Sequence, residues 1–156
     1  MKLSQLVSTD SVVCNADVAS KKRALEFLAE LLTKESPTAD AFDIFQHLTE
    51  REKLGSTSLG HGVAIPHART SSSDKAIGAF IKLEQGIDFD SPDNEPTDLL
   101  FALLVPEHYT DEHLEILSAL ASRFSDEGLC HNLRASGTSE ELYKRLTGWQ
   151  VTSQAS

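Results

Sequence analysis

The chain has 156 residues, with 24 Asp and Glu against 14 Lys and Arg for a formal charge of −10, 40% hydrophobic residues and 6% aromatics. Non-specific nucleic-acid binding needs clustered cations to release counterions from phosphates, and docking on anionic lipid needs them too, so this balance excludes both roles. The imbalance is also local: residues 83–122 hold ten acids (Glu84, Asp88, Asp90, Asp93, Glu95, Asp98, Glu107, Asp111, Glu112, Glu115) and no Lys or Arg.

Hydrophobic periodicity divides the chain into alternating elements. Ser20 is placed to cap a helix whose apolar residues Ala24, Phe27, Leu28, Leu31 and Leu32 recur at helical spacing until Pro37 closes the segment. A second helix carries Phe42, Phe45 and Leu48 and is predicted to end near Lys53. Gly55, Gly60 and Gly62 then bracket a polar loop containing Ser56 and Thr57, and a short extended piece, Val63-Ala64-Ile65, runs into Pro66. Ile77, Ala79, Ile81 and Leu83 alternate as in a half-buried strand, whereas residues 99–105 are continuously apolar, as suits a central strand covered on both faces.

Beyond Pro106 the pattern is helical again, with Thr110 as the expected N-cap and Leu114, Leu117, Leu120, Ala121 and Phe124 along one side. Thr138-Ser139-Glu140-Glu141 reads as a capping box opening a last helix through Leu142 and Leu146. The predicted fold is therefore α/β (or α+β), a mixed β-sheet flanked by helices on both faces, in a single domain over residues 1–147. Residues 148–156 are expected to form a fraying tail.

At this length a domain buries roughly 68–70% of its unfolded surface, enough for a core without staples. Cys14 and Cys130 are too few for a disulfide framework or a four-ligand zinc pattern and read as reduced thiols. The N-terminus lacks the apolar core of a signal peptide, and the longest apolar run is the seven residues 99–105, so no direct membrane insertion and a cytoplasmic location are expected.

Gly-x-Gly-x-x-Gly after a strand, a P-loop, Gly-x-Ser-x-Gly and His-Glu-x-x-His are all absent. Among the six histidines, His67 follows Pro66, whose fixed φ and missing N–H present the ring at a rigid strand end beside a glycine-rich loop. An imidazole held in one orientation can attack a phosphoryl group or bind a metal. His47, His108 and His131 read as surface histidines, and His61, six residues before His67, points to the other end of the short strand.

The run from Glu52 through Leu59-Gly60 to Val63-Ala64-Ile65-Pro66-His67-Ala68 resembles the phosphorylation-site signature of the type-2 enzyme IIA domains (fructose, mannitol and nitrogen class) of the bacterial phosphoenolpyruvate-dependent phosphotransferase system. Residues 98–106 and Glu140-Glu141-Leu142-Tyr143 extend the likeness over most of the chain, and its free-standing length is similar to the nitrogen-regulatory branch. The resemblance implies that His67 accepts a phosphoryl group from a histidine phosphocarrier protein, with Arg51 and His113 supporting the transferred group. A planar guanidinium can meet a phosphoryl group bidentately, and a histidine in the first turn after Thr110 lies where the helix dipole favours an anion while lowering the imidazole's own pKa. Ser56 and Thr57 are candidate hydroxyl donors to the phosphoryl group.

The resemblance further implies regulated targets such as kinases or transporters, selected by phosphorylation state, in nitrogen, carbon or potassium metabolism. It implies no cofactor, because histidine-to-histidine exchange demands no metal. One alternative is a sugar-transport component passing phosphate to a separate IIB protein. Another is a metallohydrolase with ligands from His61, His67, His113 and Asp111 or Glu112, opposed by the nearby arginine. The acidic surface of residues 88–98 or 107–115 is expected to steer a basic carrier toward the site.

Overall fold

The computed structural model describes residues 2–148. Its centre is the apolar run anticipated above, which forms β6 (Thr97–Pro106) and sends alternate side chains into two separate cores. Leu100, Ala102 and Leu104 face one core; Leu99, Phe101, Leu103 and Val105 face the other. Period-two alternation with apolar residues at every position requires a layer on each face, and helices supply both.

The first layer is α1 (Lys21–Thr33) and α2 (Ala41–Lys53). Ser20 caps α1 by accepting the Arg23 N–H, and Asp40 caps α2 by accepting the Asp43 N–H. Each such cap contributes about 1 kcal/mol. Ala24, Leu28 and Leu32 of α1 pack with Ile44 and Leu48 of α2 against Ile81, Leu100 and Leu104. Phe42, expected on the buried stripe, is 66% exposed, because Ile44 and Leu48 at four-residue spacing define the inward face instead.

The second layer is α3 (Asp111–Phe124), α4 (Glu127–Arg134) and α5 (Ser139–Gly148), with a 3-10 turn at Leu3–Gln5 beside them. Phe80, Phe101 and Phe124 meet at its centre with ring centroids 5.6 to 6.2 Å apart. The capping box holds in part: Thr138 Oγ1 accepts the Glu141 N–H at 3.1 Å, while the Glu141 carboxylate accepts from Gly137 N–H. Helix α4 was not anticipated; Asp126, which caps it by accepting from Gly128 and Leu129, is its sequence signal. Leu114 is 67% exposed rather than inward-facing, since α3 meets the core mainly through Leu120 and Phe124.

The six-stranded mixed sheet runs β1 (Val12–Ala16), β5 (Ile77–Ile87), β6, β3 (Val63–Ala64), β2 (Ser58–Gly60), and β4 (His67–Thr70) also pairs with β6. β5 lies antiparallel to β6, and β3 and β4 lie parallel to it. The half-buried reading of β5 gives way to burial on both faces from Ile77 to Ile81, because β5 is itself an inner strand. Gly78 has no side chain there because a Cβ would approach the Phe101 ring to 2.7 Å.

β3 and β4 occupy the same edge of β6, Val63 opposite Leu99 and His67 opposite Leu103. Pro66 lies between them and offers only its carbonyl, which accepts the Leu103 N–H at 2.9 Å. His67 therefore opens a new strand instead of ending one. Helix α5 continues to Gly148, and the remainder of the expected tail, 149–156, lies outside the described residues. No helix among the described residues is long and apolar enough to cross a membrane.

Candidate active site

His67 is half-buried at the start of β4, and its Nδ1 lies 2.8 Å from the Ile65 carbonyl oxygen. A carbonyl can only accept, so Nδ1 carries the hydrogen and Nε2 holds the lone pair. Burial lowers the imidazole's pKa below its ordinary 6.5; the Ile65 carbonyl opposes that shift, Arg51 adds to it and Glu52 opposes it. The ring is thus neutral, oriented and nucleophilic at Nε2 near pH 7.

His113 stands in the first turn of α3, its ring centroid 5.4 Å from that of His67 and the planes at 79°. Desolvation, then the neighbouring His67 and Arg69, push its pKa down to about 4. Its Nε2 is shielded from solvent and has no hydrogen-bond partner among the described residues. Thr110 occupies the expected N-cap position but has αR backbone and makes no side-chain capping bond, so the cap is positional only.

Arg51, in the last turn of α2, donates Nη1 to the Gly55 carbonyl at 2.9 Å. A guanidinium has five N–H donors in a fixed fork, so this bond leaves other donors for an anion. Arg51, His67 and His113 all line one open cleft of about 880 Å³ between α2, β4 and the start of α3. The three residues singled out from sequence are therefore brought together.

Two further basic side chains of this cleft, Arg69 and His47, were not among the site residues expected from sequence. Arg69, on β4, shares a strand face with His67 by the i, i+2 rule, and its Nη1 lies 3.4 Å from the Tyr109 carbonyl. His47 lies one helical turn before Arg51, and its Nδ1 meets the Asp43 carbonyl at 2.8 Å. Recognising β4 and applying the i, i+4 spacing to α2 would have found both. Exposed Leu54 and Leu114 also line the cleft.

Ser56 and Thr57 are not among the residues lining it. The Ser56 hydroxyl donates to the Phe89 carbonyl at 2.7 Å, and the buried Thr57 hydroxyl donates to the Glu52 carboxylate. His61 lies in the turn between β2 and β3 at φ 54°, and lines a different cleft with His131 and Arg134. His67 and His113 thus lack the third imidazole of the proposed ligand set, and no group of three His, Cys, Asp or Glu placed to hold a metal ion occurs among the described residues. His108 packs edge-on against Tyr109 at 5.1 Å.

The acidic stretch divides in the same way. Asp93 accepts the His61 N–H and Asp98 pairs with Arg134, both near the β2–β3 turn. Glu107 and Asp111, joined by Glu50, line the His67 cleft.

The family model for the phosphoenolpyruvate-dependent sugar phosphotransferase system, EIIA 2, matches residues 5–148. The nitrogen regulatory protein of Pseudomonas aeruginosa is 44% identical over 144 residues, covering 92% of this chain and 94% of its own. A fructose-specific EIIA component from Haloferax volcanii is 39% identical over 115 residues, 74% of this chain and 75% of its own. The crystal structure of nitrogen regulatory protein IIA-Ntr from Neisseria meningitidis superposes with a TM-score of 0.86 at 43% identity, covering 93% of this chain and 99% of that one. The chain belongs to the type-2 EIIA family of the phosphoenolpyruvate-dependent sugar phosphotransferase system.

Proposed function

We propose that this phosphotransferase-system phosphoryl carrier accepts its phosphoryl group on His67 Nε2 from the phosphohistidine of a histidine phosphocarrier protein. The observation that carries this reading is the Nδ1–H bond to Ile65, which leaves Nε2 as the lone-pair nitrogen in a cleft shared with Arg51 and His113. In the transfer, the Nε2–P bond forms as the donor's N–P bond breaks, and the donor ring keeps the electron pair. Phosphoryl transfer depends on in-line positioning and on stabilising charge on the equatorial oxygens. Arg51 supplies guanidinium donors, and His113, neutral at rest, supplies an N–H or takes up a proton as negative charge arrives. Arg69 adds a second cation.

Phosphorylation adds about −1.5 to −2 charges if it behaves as on other side chains, enough to change which partner surface fits. The likeness to nitrogen regulatory proteins supports a regulatory output on kinases or transporters in nitrogen, carbon or potassium metabolism. Glu50, Glu107 and Asp111 at the cleft suit a donor that presents basic residues. The proposed compartment is the cytoplasm, in keeping with the two free thiols, Cys14 and Cys130. A second reading, sugar transport with phosphate passed to a IIB protein, draws its support from the fructose-specific relative.

Incubation with phosphoenolpyruvate and the two general carrier proteins should place one acid-labile phosphoryl group on the chain, and His67→Ala should abolish it. Labelling that persists in the variant would overturn the assignment. Onward transfer to a IIB protein with sugar turnover would favour the second reading.

A further inference from the structure

Glu52 is a carboxylate only 7% exposed, and the transfer as derived above gives it no task. Its Oε1 accepts the Thr57 N–H at 3.2 Å and lies 3.0 Å from Lys21 Nζ, while its Oε2 accepts the Thr57 hydroxyl. Lys21 in turn reaches Asp90 at 3.1 Å and lies over the Phe89 ring, 4.7 Å from its centroid. Phe89 also receives the Ser56 hydroxyl on its carbonyl. The loop 54–57 between α2 and β2 is therefore fastened at once to the start of α1 and to the β5–β6 connection.

Arg51 adjoins Glu52 in the last turn of α2, and the carbonyl that receives its Nη1, that of Gly55, belongs to this fastened loop. A buried carboxylate is tolerated only when paired and hydrogen-bonded, and Glu52 meets both conditions through Lys21 and Thr57, so charge-assisted bonds hold the turn it closes. Fixing the loop fixes the Gly55 carbonyl, and a bound guanidinium edge sets the plane of the remaining donors.

We propose that Glu52 is a positioning residue for phosphoryl transfer: through Thr57 and Lys21 it holds the Gly55 carbonyl that orients the Arg51 guanidinium in the His67 cleft. The proposal rests on the reading of His67 as acceptor.

The test is single-turnover transfer from the phosphorylated carrier to the full chain, across carrier concentrations, for wild type, Glu52→Gln, Thr57→Val, Arg51→Ala and the Glu52→Gln/Arg51→Ala pair. Misplacing an orienting group by a fraction of an ångström is expected to slow transfer about tenfold at saturating carrier. The half-saturating carrier concentration should stay unchanged, because the docking surface is intact. With Arg51 removed, Glu52→Gln should slow transfer less than about twofold further, since residues acting through one another are non-additive. Thr57→Val loosens the same clamp from its other side and carries the test if Glu52→Gln does not fold. Saturating rates within twofold of wild type for both variants, or a Glu52→Gln effect undiminished without Arg51, would overturn the proposal. A wild-type chain that takes no phosphoryl group overturns the His67 reading and this one with it, whereas a labelled wild type with indifferent variants overturns this one alone.

Discussion

The His113→Leu substitution removes an imidazole whose Nε2 is shielded from solvent without a partner among the described residues. A polar atom left in that condition costs about 1–3 kcal/mol, and an apolar side chain of similar volume relieves it. Imperfect packing of leucine against His67 costs less than about 1.5 kcal/mol in return. Net stability should therefore run from about 0.5 kcal/mol below wild type to about 3 kcal/mol above it, higher the better the packing adjusts. The reaction should respond very differently, because losing one donor to a charge-developing transition state costs about 2.7–4 kcal/mol, a factor of about 10²–10³ in rate.

The same variant has a signature in pH. His113 titrates near 6.5 when unfolded and at about 4 when folded, so between those values the unfolded chain binds the extra proton. Stability therefore falls as pH drops through that window, and this contribution is fully lost below about pH 4. The leucine variant lacks it and should show a flatter stability profile. Urea denaturation from pH 7.5 down to about 4.5, with single-turnover phosphoryl transfer at pH 7.5, measures both effects. Destabilisation above about 2 kcal/mol, or transfer within about threefold of wild type, would refute the reasoning that His113 is kept for the reaction at no benefit to the fold.

Gly62 has φ +79°, and an added Cβ would lie 2.5 Å from Arg134 Nη2 and 2.9 Å from Asp98 Oδ1. Left-handed strain of about 1–2 kcal/mol and crowding of about 1–3 kcal/mol predict that Gly62→Ala destabilises by about 2–5 kcal/mol. A urea midpoint unchanged from wild type would contradict this. Because burial holds the His67 pKa below 6.5, phosphoryl acceptance at saturating carrier should fall to half only below pH 6.5; half-loss at 6.5 or above would show an unshifted imidazole. With Glu50, Glu107 and Asp111 at the cleft, raising salt from about 0.05 to about 0.5 M should slow transfer at subsaturating carrier and spare the saturating rate. Salt-independent transfer would leave these acids a role in solubility alone.

Local signals were legible where one residue type determines one geometry. The apolar run of residues 99–105 suits a strand covered on both faces, and Ser20 before a helical stripe suits its cap; the fold has both. His67, Arg51 and His113 lie far apart in sequence, so their meeting was legible through the motif and its family resemblance; spacing alone does not encode the pairing of β4 with β6 that places them. Ser56 and Thr57 show the limit of reading hydroxyls from a loop. Their side chains are spent on Phe89 and Glu52, partners that only the folded chain brings near. Phe42 and Leu114 misled for a related reason: apolar spacing predicts a stripe, but the position of the neighbouring layer decides which part of it is covered.

The proposed acceptor is a single atom, His67 Nε2. ¹⁵N-resolved NMR of the phosphorylated chain, with histidine ring nitrogens labelled and correlated to ³¹P, reads that atom directly. The phosphorus should couple to Nε2 of His67, with Nδ1 still protonated and bonded to the Ile65 carbonyl. Phosphorus coupled to Nδ1 of His67, or to a ring nitrogen of any other histidine, would contradict it.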